Sequence, residues 1–270
     1  MKHLLAIFLF SILLTDIVSS QEELILQKLR TIPGNYVSFS IDNMENIYLL
    51  SAFNQLKKLN ADGDSIAIYN NLKKLGDISI VDVSNPLKIL LYAKDYATIT
   101  LLDGMLNQKS VIDLRKKNMF NISAAGLAYD GKIWIFDETD NNLKKIDENG
   151  NTILQTADFR QLFDLAPSPE RIFDYNQYVY LYDSLTGIFV FDYYGTFKTK
   201  IPITLWQNIG ISNQYFYGTK HDGYYKYDFK SAQYSHITVP RSVIQSRRFF
   251  YGNKYLYVLN DSGLNLYLLK

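Results

Sequence analysis

Asn54-Gln55-Leu56-Lys57-Lys58-Leu59-Asn60-Ala61-Asp62-Gly63 and Asn141-Asn142-Leu143-Lys144-Lys145-Ile146-Asp147-Glu148-Asn149-Gly150 are two copies of one phrase. Each opens on a polar turn, runs through apolar residues that frame a pair of lysines, and ends in a second turn closed by Gly. Upstream of each lies a hydrophobic triplet, Ile47-Tyr48-Leu49 and Ile133-Trp134-Ile135. The triplet recurs as Ile89-Leu90-Leu91, Val179-Tyr180-Leu181, Tyr215-Phe216-Tyr217 and Tyr255-Leu256-Tyr257. First residues of successive triplets are 42, 44, 46, 36 and 40 positions apart. β-Branched and aromatic residues of this kind fit a pleated, half-buried surface. A period near 40 with several short strands per unit is the signature of a propeller. The expectation is an all-β, six-bladed β-propeller with four-stranded antiparallel blades.

The rest of each unit is readable around the triplet. Turns rich in Asp, Asn, Ser, Thr and Gly follow it, as in Asp137-Glu138-Thr139-Asp140, Asp183-Ser184-Leu185-Thr186-Gly187, His221-Asp222-Gly223 and Asp261-Ser262-Gly263. Asp-Gly and Ser-Gly between apolar runs are hairpin signals, because Gly accepts positive φ. An outer strand follows the second turn, as at 65–69, 110–114, 199–203 and 236–239. Ahead of the triplet lies a strand with smaller side chains, such as Val37-Ser38-Phe39-Ser40, Ile122-Ser123-Ala124-Ala125 or Ile209-Gly210-Ile211-Ser212. Small residues suit the crowded axis of a ring. The sixth unit has three strands, and Leu24–Arg30 is an unassigned strand-like run. The expectation is that this N-terminal strand completes the last blade and removes its open edge.

Ahead of that strand, Lys2 and His3, the apolar run Leu4–Leu14 and Val18-Ser19-Ser20 read as a secretory signal over residues 1–20. The run is too short for a membrane span, so no stable span is expected after its removal. Residues 21–270 then form a single propeller domain, periplasmic or secreted. The chain has no cysteine, which excludes disulfides and attachment as a lipoprotein. With 28 basic against 27 acidic residues, capture of nucleic acid by charge is not expected.

Candidates for chemistry are few. After signal removal only His221 and His236 remain, at different places in the repeat, so neither a histidine metal site nor a Ser-His-Asp triad is expected. Calcium stays open as a cofactor, since Asp137, Glu138 and Asp140 form an acidic turn, although they lack the alternating series of a calcium loop. Asp42, Asp82, Asp174 and Asn213 fall where a ring of axial ligands would sit, beside Ser38, Ser40, Ser79, Ser123 and Ser212. In Arg247-Arg248, alternation along a strand turns one guanidinium toward the channel or its mouth, open to an anion, while the plainer expectation is that one Arg pairs with a carboxylate and the other is solvated. Of 22 tyrosines, 16 lie after position 170. Most are expected to pack blades, with an aromatic binding face as the alternative.

On the six triplets and the hairpin 141–150, the chain resembles the six-bladed NHL/TolB-like β-propeller superfamily, in the form of its exported bacterial members. That resemblance implies a ligand-binding scaffold, a protein-interaction module or a calcium-dependent, lactonase-like hydrolase. With only Trp134 and Trp206, the tryptophan-rich cofactor propellers are a poor match. The reading that follows is a non-catalytic propeller that binds a protein or glycan partner in the cell envelope. Its expected contact surface is the end bearing the turns after the triplets, with Asp137, Asp140, Asp183, His221, Asp222 and Asp261. The hydrolase with an axial site and a structural subunit of an envelope assembly are the alternatives.

Overall fold

In the computed structural model the described residues are 26–53, 55–70, 76–212, 214–252 and 254–269. The proposed signal over residues 1–20, Leu24, Ile25 and Asn213 lie outside them. Twenty-four strands form six four-stranded antiparallel sheets. After β1 (Leu26–Pro33), blade I is β2–β5 (Tyr36–Ile41, Ile47–Ser51, Leu56–Leu59, Ser65–Tyr69). Blade II is β6–β9 (Ile80–Asn85, Lys88–Ala93, Thr98–Asp103, Gln108–Asp113). Blade III is β10–β13 (Ile122–Leu127, Ile133–Asp137, Asn142–Ile146, Thr152–Gln155). Blade IV is β14–β17 (Arg171–Tyr175, Tyr178–Asp183, Gly187–Asp192, Phe197–Ile201). Blade V is β18–β21 (Gln207–Ser212, Tyr215–Lys220, Gly223–Asp228, Tyr234–Ile237). Blade VI is β22–β24 (Arg248–Tyr251, Tyr255–Asn260, Gly263–Leu269) together with β1. Two short helices, α1 (Phe159–Leu162) and α2 (Arg241–Ile244), sit in connections between blades.

The predicted closure is present. β1 pairs antiparallel with β24 from Leu26 opposite Leu269 to Pro33 opposite Gly263. Each triplet lies on the second strand of its blade, and Ile47, Tyr48, Ile89, Leu90, Ile133 and Trp134 are fully buried. Both faces of that strand pack on neighbouring blades, so its sequence is continuously apolar rather than alternating. Outer strands are mostly exposed instead. Three of them begin two residues earlier than the sequence reading placed them, at Gln108, Phe197 and Tyr234.

The second turn of each blade is a repeated device. Asn60, Asp103, Asp147, Asp192 and Asp228 each accept backbone N–H groups from their own turn, for example Asn149 and Asn151 onto Asp147 at 2.9 and 2.8 Å. Gly63, Gly150 and Gly195 take the positive φ that follows, and in blade II Leu106 takes it rather than Gly104.

Side chains then tie blade to blade. Tyr92 Oη donates to the Ile122 carbonyl at 2.8 Å, Tyr69 Oη to Gln108 at 2.6 Å, and Lys58 Nζ to the Gly104 carbonyl at 2.8 Å. Tyr182 Oη donates to the Trp206 carbonyl at 2.7 Å and accepts the Trp206 N–H at 2.9 Å. Both residues are buried. Tyr182→Phe therefore strands two backbone groups, at a cost of about 2 kcal/mol. Thermal unfolding is expected to show a midpoint lower by roughly 4–8 °C, with Tyr178→Phe, an exposed site, left near wild type.

Candidate functional site

The first strands of the blades converge on an axial cavity of about 370 Å³, lined by residues of blades I to VI. A space of this size is typical of small-ligand sites. Antiparallel order puts the starts of all first strands at one end, together with the turns after the triplets and the loops that join blades. The opposite end carries the other two sets of turns.

Small residues line the axis in blades I, III and V, as expected. Blades IV and VI break the pattern. β14 begins Arg171-Ile172-Phe173-Asp174 and β22 begins Arg248-Phe249-Phe250, and both arginines line the cavity. At the start of the axial strands each blade supplies one polar side chain: Ser38, Ser79, Ser123, Arg171, Asn208 and Arg248. This collar contains two cations and no carboxylate.

Arg248 Nη1 donates to Ser38 Oγ at 3.1 Å, and its guanidinium lies 6.0 Å from the centre of the Phe39 ring. Burial lowers its pKa. Arg171 has no hydrogen bond or ion pair among the described residues. Burial pushes it down to about 10, the charge of Arg248 acts in the same direction, and Glu170 and Asp82 oppose. A guanidinium stays protonated in proteins, so that shift expresses a partly desolvated positive charge that Glu170 and Asp82 offset only in part.

The carboxylates of the cavity are already engaged. Asp82 accepts from the N–H of Leu127 at 2.6 Å and of Ser84 at 2.9 Å. Asp174 accepts from Trp134 Nε1 at 3.0 Å, Tyr193 Oη at 2.8 Å and the Tyr129 N–H at 3.2 Å. Asp42, next to the cavity, holds Asn46 and Tyr48. Among the described residues no three His, Cys, Asp or Glu side chains gather as a metal-binding group.

The residues predicted as a contact surface separate into two kinds. Asp137 and Asp183 are buried and serve their own turns. Asp137 binds Lys144 Nζ at 2.7 Å and accepts the Thr139 N–H at 3.0 Å. Asp183 accepts the N–H groups of Ser168 and Leu185 at 3.0 and 2.8 Å. Asp140 also bonds Lys144. Desolvation works against that ammonium, but its hydrogen bonds to Asp137 and Asp140 outweigh it and raise its pKa. The acidic turn thus contains its own cation. Asp222 accepts from Tyr225 Oη at 2.6 Å, which holds its carboxyl below the usual range. Asp261 pairs with Arg247 at 2.6 Å, so Arg247 meets a carboxylate while Arg248 faces the axis, as strand alternation required. Asp222, Asp261 and His221 are exposed.

The tyrosine-rich half spends several rings on a local cage. Tyr215, Tyr217, Tyr224 and Tyr251 line a small recess, and Lys226 Nζ sits 4.0 Å from the Tyr251 ring centre. Sequence reading missed Arg171. A long cation where blades I to III carry Ser38, Ser79 and Ser123 is the signal that marks it.

The chain is similar in structure to virginiamycin B lyase from Staphylococcus aureus (12% identity, TM-score 0.63, 92% of this chain and 100% of that one). It is similar to the WD40 domain of Pan2 from Neurospora crassa (9%, 0.64, 90% and 95%) and to BamB from Moraxella catarrhalis (11%, 0.58, 91% and 98%). It is a six-bladed β-propeller. No family profile and no curated protein sequence matches the chain. At these identities the likeness establishes the fold alone.

Asp174 supplies a test of the cavity wall. Desolvation raises its pKa, against hydrogen bonds from Tyr193, Trp134 and Tyr129 that lower it. Its folded value exceeds the unfolded value of about 3.9, so ionisation weighs against the fold. That penalty is absent below about pH 4 and grows as pH rises through the folded value. Asp174→Asn keeps an acceptor for Trp134 and Tyr129 and is expected within about 1 kcal/mol of wild type at pH 7, whereas Asp174→Ala loses about 2–3 kcal/mol. Chemical denaturation at pH 4 and pH 7 checks both, with the Asn variant gaining on wild type as pH rises.

Proposed function

We propose that this protein is a non-catalytic binding propeller, exported to the cell envelope, that holds a protein partner on the end bearing the starts of the axial strands. Export rests on the signal-like residues 1–20, and the reading agrees with the NHL/TolB-like resemblance. The observation that carries the choice of surface is that the turns after the triplets and the loops that join blades gather on this one end; large apolar side chains are exposed there, as they also are on the opposite end at Leu87, Tyr129 and Tyr194. Phe53 (74%), Tyr96 (54%) and Leu185 (77%) reach solvent from the turns of blades I, II and IV, and Phe120 (60%), Leu165 (66%) and Leu205 (63%) from the loops that join blades II to V. Apolar patches with a polar rim mark interaction sites, and Asp140, His221, Asp222 and Asp261 lie on the same end.

The supporting backbone is fixed. The turn after the triplet is bonded to a neighbouring inter-blade loop through Ala52 N–H to the Asn35 carbonyl, Glu138 N–H to Asn121 and Leu205 N–H to Ser184, at 3.0, 2.8 and 2.7 Å. Recognition loops held on a rigid frame are the usual arrangement in such scaffolds. Among the described residues no helix is long and apolar enough to cross a membrane. A glycan is the competing partner, and the stacked rings that would suit it, Tyr129 on Tyr193 at 4.3 Å, are on the opposite end.

The test compares two charge insertions in the full chain. Leu185→Arg with Leu205→Arg is expected to abolish recovery of the partner from native envelopes, and Leu87→Arg on the opposite end is expected to leave it intact. Equal recovery by both variants, or capture of a glycan alone on an array, overturns the assignment.

A further inference from the structure

The collar at the start of the axial strands has a property that protein docking does not require. Five polar side chains from five blades line one end of the cavity, with Ser123 of blade III in the adjoining recess; two of the five are guanidinium groups, and the Arg171 side chain makes no ion pair or hydrogen bond among the described residues. Arg171 is half-buried at the cavity, and a guanidinium held there without a hydrogen-bonded acceptor is placed to receive an anion. Beside it, Ser123 Oγ is buried without a hydrogen-bond partner. Ser123 and Arg171 share a second recess of about 220 Å³ with Ser79, Ser168, Lys94 and Glu170.

Glu170 is the one carboxylate there, and it accepts from Ser184 Oγ. Asp82 is bound by two backbone N–H groups, and Arg171 makes no ion pair with either acid. Lys94, exposed in the turn of blade II, adds a third cation at the rim. Beneath the collar the walls combine apolar Phe39, Ile80, Ile172, Ile209 and Phe249 with Ser40, Ser84 and the two carboxylates already engaged by donors, Asp82 and Asp174.

We propose that the axial cavity is a binding site for a small organic oxyanion, a carboxylate or phosphate monoester with an apolar body, whose charged end is received by Arg171 and Arg248 and whose body lies against Phe39, Ile172 and Phe249. The guanidinium fork matches the two oxygens of a carboxylate or phosphate, which makes Arg the fitting residue for such a group. Ser38 already orients Arg248. Arg171 and Ser123 have free donors, so the ligand supplies the missing acceptors rather than displacing existing bonds. The site stands independently of the protein-docking surface, since its residues lie inside the ring.

Isothermal titration of the mature full chain with benzoate and phenyl phosphate tests this, with benzyl alcohol as the neutral analogue and inorganic phosphate as the anion without a body. Benzoate or phenyl phosphate is expected to bind at least about tenfold more tightly than either comparator. Arg171→Gln and Arg248→Gln are each expected to weaken that binding about tenfold or more. Arg247→Gln, whose guanidinium is outside paired with Asp261, is expected to leave it unchanged. Thermal unfolding without ligand is the second measurement: Arg171→Gln is expected to melt higher than wild type, because a partly desolvated charge is removed. A lower midpoint for that variant would show that Arg171 has a structural role and would overturn the proposal. So would equal affinity for benzyl alcohol, unchanged binding by both arginine variants, or no binding of any probe at millimolar concentration.

Discussion

The antiparallel pairing of β1 with β24 is the constraint on which the ring depends. A propeller blade has two apolar faces and no core of its own; each face is covered only by the next blade. Six blades in a row leave two uncovered faces and an unpaired strand edge, whereas six in a ring leave none. β1 supplies the fourth strand of blade VI from the other end of the described chain, so blade VI cannot be completed without bringing blade I alongside it. Arg30 extends the joint by bonding the carbonyls of Ala61 and Asp62 in blade I. The hydrophobic cluster there draws on Phe39, Ile47 and Leu49 of blade I and Leu259, Leu264 and Leu266 of blade VI, so the joint is also a packed interface.

Closure has a second consequence. Once the circumference is set by six blades, the space at the axis is fixed by what the first strands carry. Gly126 and Gly210 show how tight parts of it are: a Cβ on Gly126 would meet the Ile172 carbonyl at 2.9 Å, and one on Gly210 would meet Tyr217 Oη at 2.0 Å. Small residues in blades I, III and V leave room, and blades IV and VI fill part of it with arginine. The axis is therefore open enough to hold a cavity and polar enough to give it a charge.

Much of this was legible in the residues alone. The triplets mark the second strands because burial on both faces demands an uninterrupted apolar run. The Asp and Asn at the second turns are legible because an Asx turn is a local device. The closing strand is legible because an incomplete repeat implies its complement. Site chemistry was harder to read for one physical reason: partners of a side chain at the axis or rim come from other blades. Asp82 of blade II accepts the Leu127 N–H of blade III, and Asp174 of blade IV accepts from Trp134 Nε1 of blade III. Arg171 and Arg248 are 77 positions apart, and only the ring brings them to one collar.

The two arginines also explain why the cavity is not merely a by-product of ring geometry. A hole left by packing is most cheaply lined with apolar or hydrogen-bonded groups. Here Asp42, Asp82 and Asp174 follow that rule, since each carboxylate is matched to donors of its own chain. Arg248 follows it in part through Ser38 and Phe39. Arg171 does not follow it, although Asp82 and Glu170 are near enough to influence its charge. Both acids are held by other donors, Asp82 by backbone N–H groups of blades II and III and Glu170 by Ser184. The chain thus has acids near its unpaired cation and keeps them engaged elsewhere, leaving a positive group facing a cavity of ligand size. Neighbouring acids withheld in this way make the collar a place where an anion from outside completes a set of interactions that the fold leaves open.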